Sequence, residues 1–118
     1  VHGDGKQTRS FTWVGDITEA FLLAGLTDVA IDDGSKLAGA VWNVGWPEET
    51  SIAELAELVA ETSGVEVLIE PSKGYFGDSQ RRCPDISLAT RQLGWQPWTT
   101  LEAGLRSTWF VINNRING

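Results

Sequence analysis

Residues 3–16 read GDGKQTRSFTWVGD, and the way this stretch divides decides the fold. Gly3-Asp4-Gly5 is too short for a phosphate loop. No G-x-x-x-x-G-K-[ST] pattern follows it and no strand precedes it, so a turn is expected. Phe11 to Val14 is an apolar run that suits a short strand. Asp16 is positioned to cap a helix, with Glu19 three residues on to complete a capping box. Ile17, Ala20, Phe21 and Ala24 then recur at helical spacing, which predicts a helix over 16–26. Turn, strand and helix in series make α/β the expected class.

The same alternation continues. Residues 27–39 are polar and glycine-containing and read as a loop. Residues 40–45 (AVWNVG) suit a buried strand, and Pro47 breaks the chain after it. Ser51 and Glu54 form a second capping box ahead of a helix that places Ile52, Leu55, Leu58 and Val59 on one face and stops at Gly64. Residues 65–70 (VEVLIE) alternate as a third strand, and 71–84 are a loop. Asp85 or Ser87 is expected to cap a short helix ending at Gly94. Thr99 and Glu102 are expected to box the start of a last helix, whose Leu101, Leu105, Trp109 and Ile112 share a face. The expectation is a small mixed α/β domain of about three short strands and four helices, without an internal repeat.

At 118 residues the chain is one domain, and a chain of this size buries only about two thirds of its unfolded surface. No apolar run approaches the roughly 20 residues of a membrane helix. The single cysteine, Cys83, and the single histidine, His2, exclude an internal disulfide, a cysteine metal cluster and a Ser-His-Asp triad. A cytoplasmic, metal-free protein that does not engage membranes is the expectation. The net charge of −7 argues against nucleic-acid binding. Its distribution is informative, because residues 16–70 carry twelve acids against one base, Lys36. Lys6 and Arg9 form one basic island, and Lys73, Arg81, Arg82 and Arg91 a second. Solvated surface is the plain explanation; convergence on one small anion is the sharper one.

Arg9 can grip a phosphate with a bidentate fork, although a surface arginine is the commoner outcome. In Arg81-Arg82-Cys83-Pro84-Asp85 the loop can hold an arginine over a ligand, and Asp85 can accept from a hydroxyl, cap the next helix, or both. Cys83 beside two arginines lacks a histidine base for nucleophilic work. Of the six tryptophans, most are expected in the core, with Trp46 and Trp98 partly exposed beside prolines. The acid pairs Asp32-Asp33 and Glu48-Glu49 read as solvated caps.

Three blocks, GDGKQTRSFTWVGDITEAFLLA, VWNVGWPEETSIAELAELVAETSG and RRCPDISLATRQLGWQPWTTLEAGLRST, resemble in order and spacing the C-terminal part of the NAD-dependent nucleotide-sugar epimerases and dehydratases. These extended short-chain dehydrogenases include UDP-glucuronate decarboxylases, dTDP-glucose 4,6-dehydratases and UDP-galactose 4-epimerases; the Q-x-R-S-F wording leans toward the decarboxylases. The resemblance covers nearly the whole chain. It implies that Arg9 and Arg82 reach the diphosphate of a UDP- or dTDP-sugar and that Asp85 lies near the ribose. It also implies that Asn43, and more weakly Gln7, lie near the nucleotide. The family's NAD-binding βαβ motif and Tyr-x-x-x-Lys pair belong to an N-terminal domain. Here Tyr75 is followed four residues on by Ser79, so NAD is expected in a parent enzyme and not on these residues, which alone are expected to be inactive. The alternative is a non-catalytic or relic module that forms a homodimer, or binds a partner, through surface the nucleotide domain normally covers. A free-standing hydrolase using Cys83 or an acid pair has little support.

Overall fold

The computed structural model describes residues 1, 3–27, 39–66, 68, 70–74, 77 and 79–117. The expected loop over 27–39, except for its ends, and Tyr75 lie outside them. The elements run β1 (Thr8–Arg9), α1 (Val14–Leu26), β2 (Thr50–Ser51), α2 (Ile52–Ser63), β3 (Arg81–Arg82), α3 (Ser87–Leu93) and α4 (Leu101–Asn117). The sheet order is β2-β1-β3, with β2 antiparallel and β3 parallel to the central β1. The fold class therefore stands, and all four helices form where they are expected.

The strands lie elsewhere. Residues 11–13 are outside the ladder, and Thr12 and Trp13 are engaged through their side chains instead. The Thr12 hydroxyl accepts from the Trp46 N–H at 2.8 Å, and Trp13 packs on Gly104 of α4, where an added Cβ would meet its ring at 3.2 Å. Residues 40–45 pack without a strand partner among the described residues. Trp42 and Val44 lie against the core, and the Trp42 indole donates to Gln92 Oε1 at 2.8 Å. Of the expected strand over 65–70, positions 67 and 69 fall outside the described residues. Val65 and Leu68 are exposed, and alternation without a neighbouring backbone gives no ladder.

The helix caps divide the same way. On α2 the Ser51–Glu54 capping box is complete, and Gly64 ends the helix in the left-handed conformation at φ 65°. Gly94 ends α3 likewise at φ 66°. Asp16 is not the cap of α1: the helix begins two residues earlier, and Asp16 lies buried in its first turn. There its Oδ2 accepts from the Trp98 and Thr99 N–H groups (3.1 and 2.9 Å) and its Oδ1 from the Thr99 hydroxyl (3.0 Å), while its carbonyl accepts from the Trp95 indole (2.9 Å). Thr99 is thereby engaged, and Thr100 caps α4 instead, accepting from the Ala103 N–H.

The core is small. Among the described residues Ala20, Ala89, Leu93 and Trp95 are the buried apolar side chains, joining α1 to α3. Phe21, Leu26, Phe110 and Ile116 are exposed. The chain presents 8379 Å² to solvent, against about 6,300 Å² for a compact monomer of 12.9 kDa. Its radius of gyration is 17.7 Å, where a compact domain of this length has about 13.5 Å. The excess surface, roughly 2,000 Å², is the size of a protein–protein interface.

Candidate functional site

The central strand brings the two basic islands together. Pairing β1 with β3 in parallel sets Thr8 opposite Arg81 and Arg9 opposite Arg82, with the Thr8 and Ser10 N–H groups donating to the Gln80 and Arg82 carbonyls at 2.9 and 3.1 Å. Arg9, Ser10, Arg82, Cys83 and Pro84 line an open cleft of about 500 Å³. Arg9 is half-buried and its Nη1 donates to the Thr8 carbonyl at 2.7 Å; Arg82 is exposed. Guanidiniums from two paired strands line this one cleft, and each is a bidentate donor of the kind that suits a phosphoryl group.

The loop before β2 contacts residues that line the cleft. Ser10 donates its hydroxyl to the Trp46 carbonyl, and the Cys83 thiol faces the Pro47 carbonyl at 3.4 Å. Gly45 lies so close beneath that a Cβ would stand 2.7 Å from Pro84 Cγ and 3.6 Å from Ser10 Oγ. The cleft wall is thus packed closely against Gly45, where an added Cβ would force Pro84 to shift.

Arg81, one residue before Arg82, is committed differently. Its Nε donates to Glu49 Oε2 at 2.5 Å, while Glu49 Oε1 accepts from the Thr8 hydroxyl at 2.6 Å. The Thr8 hydrogen bond, and after it the Arg81 guanidinium, hold the Glu49 carboxyl below the ordinary range against a partial desolvation that raises it.

Of the residues singled out from sequence, Arg9, Arg82 and Cys83 line the cleft, and Gln7, Asn43 and Asp85 lie outside its lining. Gln7 is buried; its carbonyl accepts from the Ile52 N–H at 3.1 Å, tying β1 to α2. Asn43 is exposed on the segment before Gly45. Asp85 is exposed two residues beyond Cys83. Its Oδ1 accepts from the Ser87 N–H at 2.9 Å and Ser87 lowers its pKa, but neither Asp85 nor Ser87 is the expected cap: Ile86 holds the N-cap position of α3 and no side chain caps it, because Asp85 stands one residue too early. Trp98 is exposed and Trp95 fully buried, as their contexts suggest. Sequence reasoning passed over Ser10 and Pro84, whose only signal is adjacency to the arginines, and took Glu49 for a solvated cap.

A second, apolar groove of about 390 Å³ runs between α2 and α4, lined by Val59, Val65, Leu105, Trp109 and Ile112 among others. It is separate from the residues that line the basic cleft.

Residues 1–108 match the family model described as GDP-mannose 4,6 dehydratase. The chain is 38% identical over 116 residues to UDP-glucuronic acid decarboxylase 1 of Arabidopsis thaliana, covering 98% of this chain and 25% of that protein. It is 40% identical over 112 residues to UDP-glucuronic acid decarboxylase 1 of Danio rerio, covering 92% and 24%. Among solved structures it superposes on the Thermotoga maritima UDP-glucose 4-epimerase with UDP-glucose at a TM-score of 0.86 and 28% identity, over 99% of this chain and 36% of that one. It also superposes on the Bacillus cereus UDP-glucuronic acid 4-epimerase, in complex with UDP-glucuronic acid and NAD, at 0.84 and 28%, over 98% and 35%. The chain thus spans about a quarter of the length of these curated relatives. With its fold, its order of elements and nearly all of its residues inside one family model, the chain belongs to the GDP-mannose 4,6 dehydratase family, as a C-terminal portion of the NAD-dependent nucleotide-sugar epimerases and dehydratases.

Proposed function

We propose that this chain is the substrate-gripping lobe of an NAD-dependent nucleotide-sugar epimerase, dehydratase or decarboxylase, with Arg9 and Arg82 as the two jaws on the nucleoside diphosphate. The observation that supports it most is the cross-strand pairing of Arg9 with Arg82 over one cleft. Cationic donors fixed on adjacent strands neutralise a diphosphate at a local positive spot on a protein of net charge −7. Holding the diphosphate orients the sugar without touching it, which is binding energy available for positioning. In this proposal Asp85 and Asn43 lie toward the ribose and the base, outside the phosphate cleft.

NAD supplies the hydride acceptor in such enzymes. Among the described residues no strand enters a helix through a glycine-rich turn of the kind that cradles a dinucleotide; β2 runs straight into α2 at Ser51–Ile52. The described residues therefore do not fit NAD, and no step assigned to them passes through it.

Calorimetry with UDP- and dTDP-sugars tests the grip. Arg9→Ala and Arg82→Ala are each expected to weaken binding about tenfold or more, since each removes a charge-assisted bond. Unchanged affinity in both variants refutes the assignment. A second reading is a module that pairs with a copy of itself, for which the roughly 2,000 Å² of excess surface is large enough. Sedimentation equilibrium decides it: a mass of 12.9 kDa at micromolar concentration leaves that surface unpaired and rejects the homodimer.

A further inference from the structure

Successive residues of a strand face opposite sides of a sheet, and here that rule separates four side chains. Arg9 and Arg82, register partners, line the cleft. Thr8 and Arg81, the other pair of partners, meet on one carboxylate, that of Glu49. Glu49 directly precedes β2, whose Thr50 is the register partner of Arg9 across β1. One side chain from the β2 edge therefore reaches over the central strand to the β3 edge and ties all three strands on the side away from the arginine jaws.

We propose that Glu49 is the positioning residue of the diphosphate grip, fixing β1 against β3 so that Arg9 and Arg82 stand side by side. The role rests on the diphosphate assignment above. Glu49 does it in two ways. Its two oxygens bridge Thr8 and Arg81, which fixes the register that faces Arg9 with Arg82. It also neutralises Arg81, one of three guanidiniums crowded on two neighbouring strands, whose mutual repulsion otherwise spreads the jaws. Each strand in the sheet is two residues long, too short for ladder hydrogen bonds alone to hold the register. The Glu49 side chain is 17% exposed, but its partner Arg81 is 77% exposed, and an ion pair with one partner in water contributes little to overall stability. The expected effect of losing Glu49 is on binding geometry, with a small effect on folding.

The protein is titrated with UDP and separately with uridine by calorimetry, with circular dichroism confirming the fold. Glu49→Ala and the isosteric Glu49→Gln are expected to weaken UDP about tenfold, as misplacing a fixed group does, and to leave uridine unchanged. The reversed pair, Glu49→Arg with Arg81→Glu, is expected to recover most of that loss. UDP affinity unchanged in Glu49→Gln, while Arg9→Ala and Arg82→Ala lose it, overturns the positioning role and leaves the grip intact. A reversed pair no better than Glu49→Ala also overturns it. UDP affinity unchanged in the arginine variants removes the grip and the positioning role together.

Discussion

Replacing Asp16 by alanine is expected to remove a tie between the first and last quarters of the chain, and its size follows from the bonds involved. The carboxylate accepts three hydrogen bonds, from the Trp98 N–H, the Thr99 N–H and the Thr99 hydroxyl. A half-buried N–H left without a partner costs about 1–3 kcal/mol. Trp98 is 68% exposed, so water replaces most of what its N–H loses; Thr99 lies deeper and bears the main penalty. A loss of about 2–3 kcal/mol is expected. With an unfolding entropy of roughly 2.1 cal/mol/K per residue over 118 residues, that lowers Tm by about 8–12 °C.

Asp16→Asn tests whether the hydrogen bonds rather than the charge carry this clip. The amide oxygen can accept from both N–H groups while its NH₂ donates to the Thr99 hydroxyl, so a cost below about 1 kcal/mol is expected. The decisive assay is a double-mutant cycle by thermal or urea unfolding with Asp16→Ala and Thr99→Val. Side chains 83 positions apart in sequence but 3.0 Å apart in space are expected to couple by about 1 kcal/mol, whereas distant sites add within about 0.5 kcal/mol. Additive losses, or an Asn variant as damaged as the Ala variant, refute the clip.

Two further outcomes are expected. Glu49, Glu54 and Asp85 all titrate below their ordinary values in the folded protein, mainly through the Thr8, Ser51 and Ser87 hydrogen bonds. A depressed folded pKa stabilises above the unfolded value and is lost as pH falls through the folded one, so Tm should fall as pH drops below about 4.5. Ser51→Ala, which removes the bonds holding Glu54, should make that acid slope shallower; an identical slope refutes the linkage. Gly45→Ala places a Cβ 2.7 Å from Pro84 Cγ, and overpacking of this kind costs about 1–3 kcal/mol. Thermal melting should show the loss, and UDP titration a weaker cleft, because Pro84 lines it; an unchanged Tm and affinity refute the packing argument.

The helices were legible because their stop and start signals act locally. The Ser51–Glu54 box and the glycines at 64 and 94 need only their own turn to take effect. The strands were not legible, because each apolar run found something other than a ladder to pack on: Trp13 found Gly104, and Trp42 found Gln92 and the core. The observed ladder uses polar dipeptides, Thr8–Arg9, Thr50–Ser51 and Arg81–Arg82, which carry no hydrophobic period to detect. Asp16 had the right residue type for a cap, yet its partners lie more than eighty positions away, where no local pattern reaches. Arg9 and Arg82 could be named from family resemblance; that Arg81 is instead held on Glu49 is visible only in the structure.

That register is maintained mainly by side chains. Three two-residue strands supply too few ladder bonds to resist slipping, and a slip of one residue in a strand turns every side chain to the other side. In β3 such a slip would present Arg81 to the cleft and bury the intended jaw against Glu49. Ser10 and Thr12 prevent it on the β1 side, each bonding to the backbone of Trp46, and Cys83 meets Pro47 on the β3 side. Glu49 closes the set by joining Thr8 to Arg81. All of these contacts converge on residues 46–49, a loop with no strand or helix of its own. On the proposed grip, its geometry is therefore stored in that loop, and substitutions there should disturb binding even though the arginines themselves are untouched.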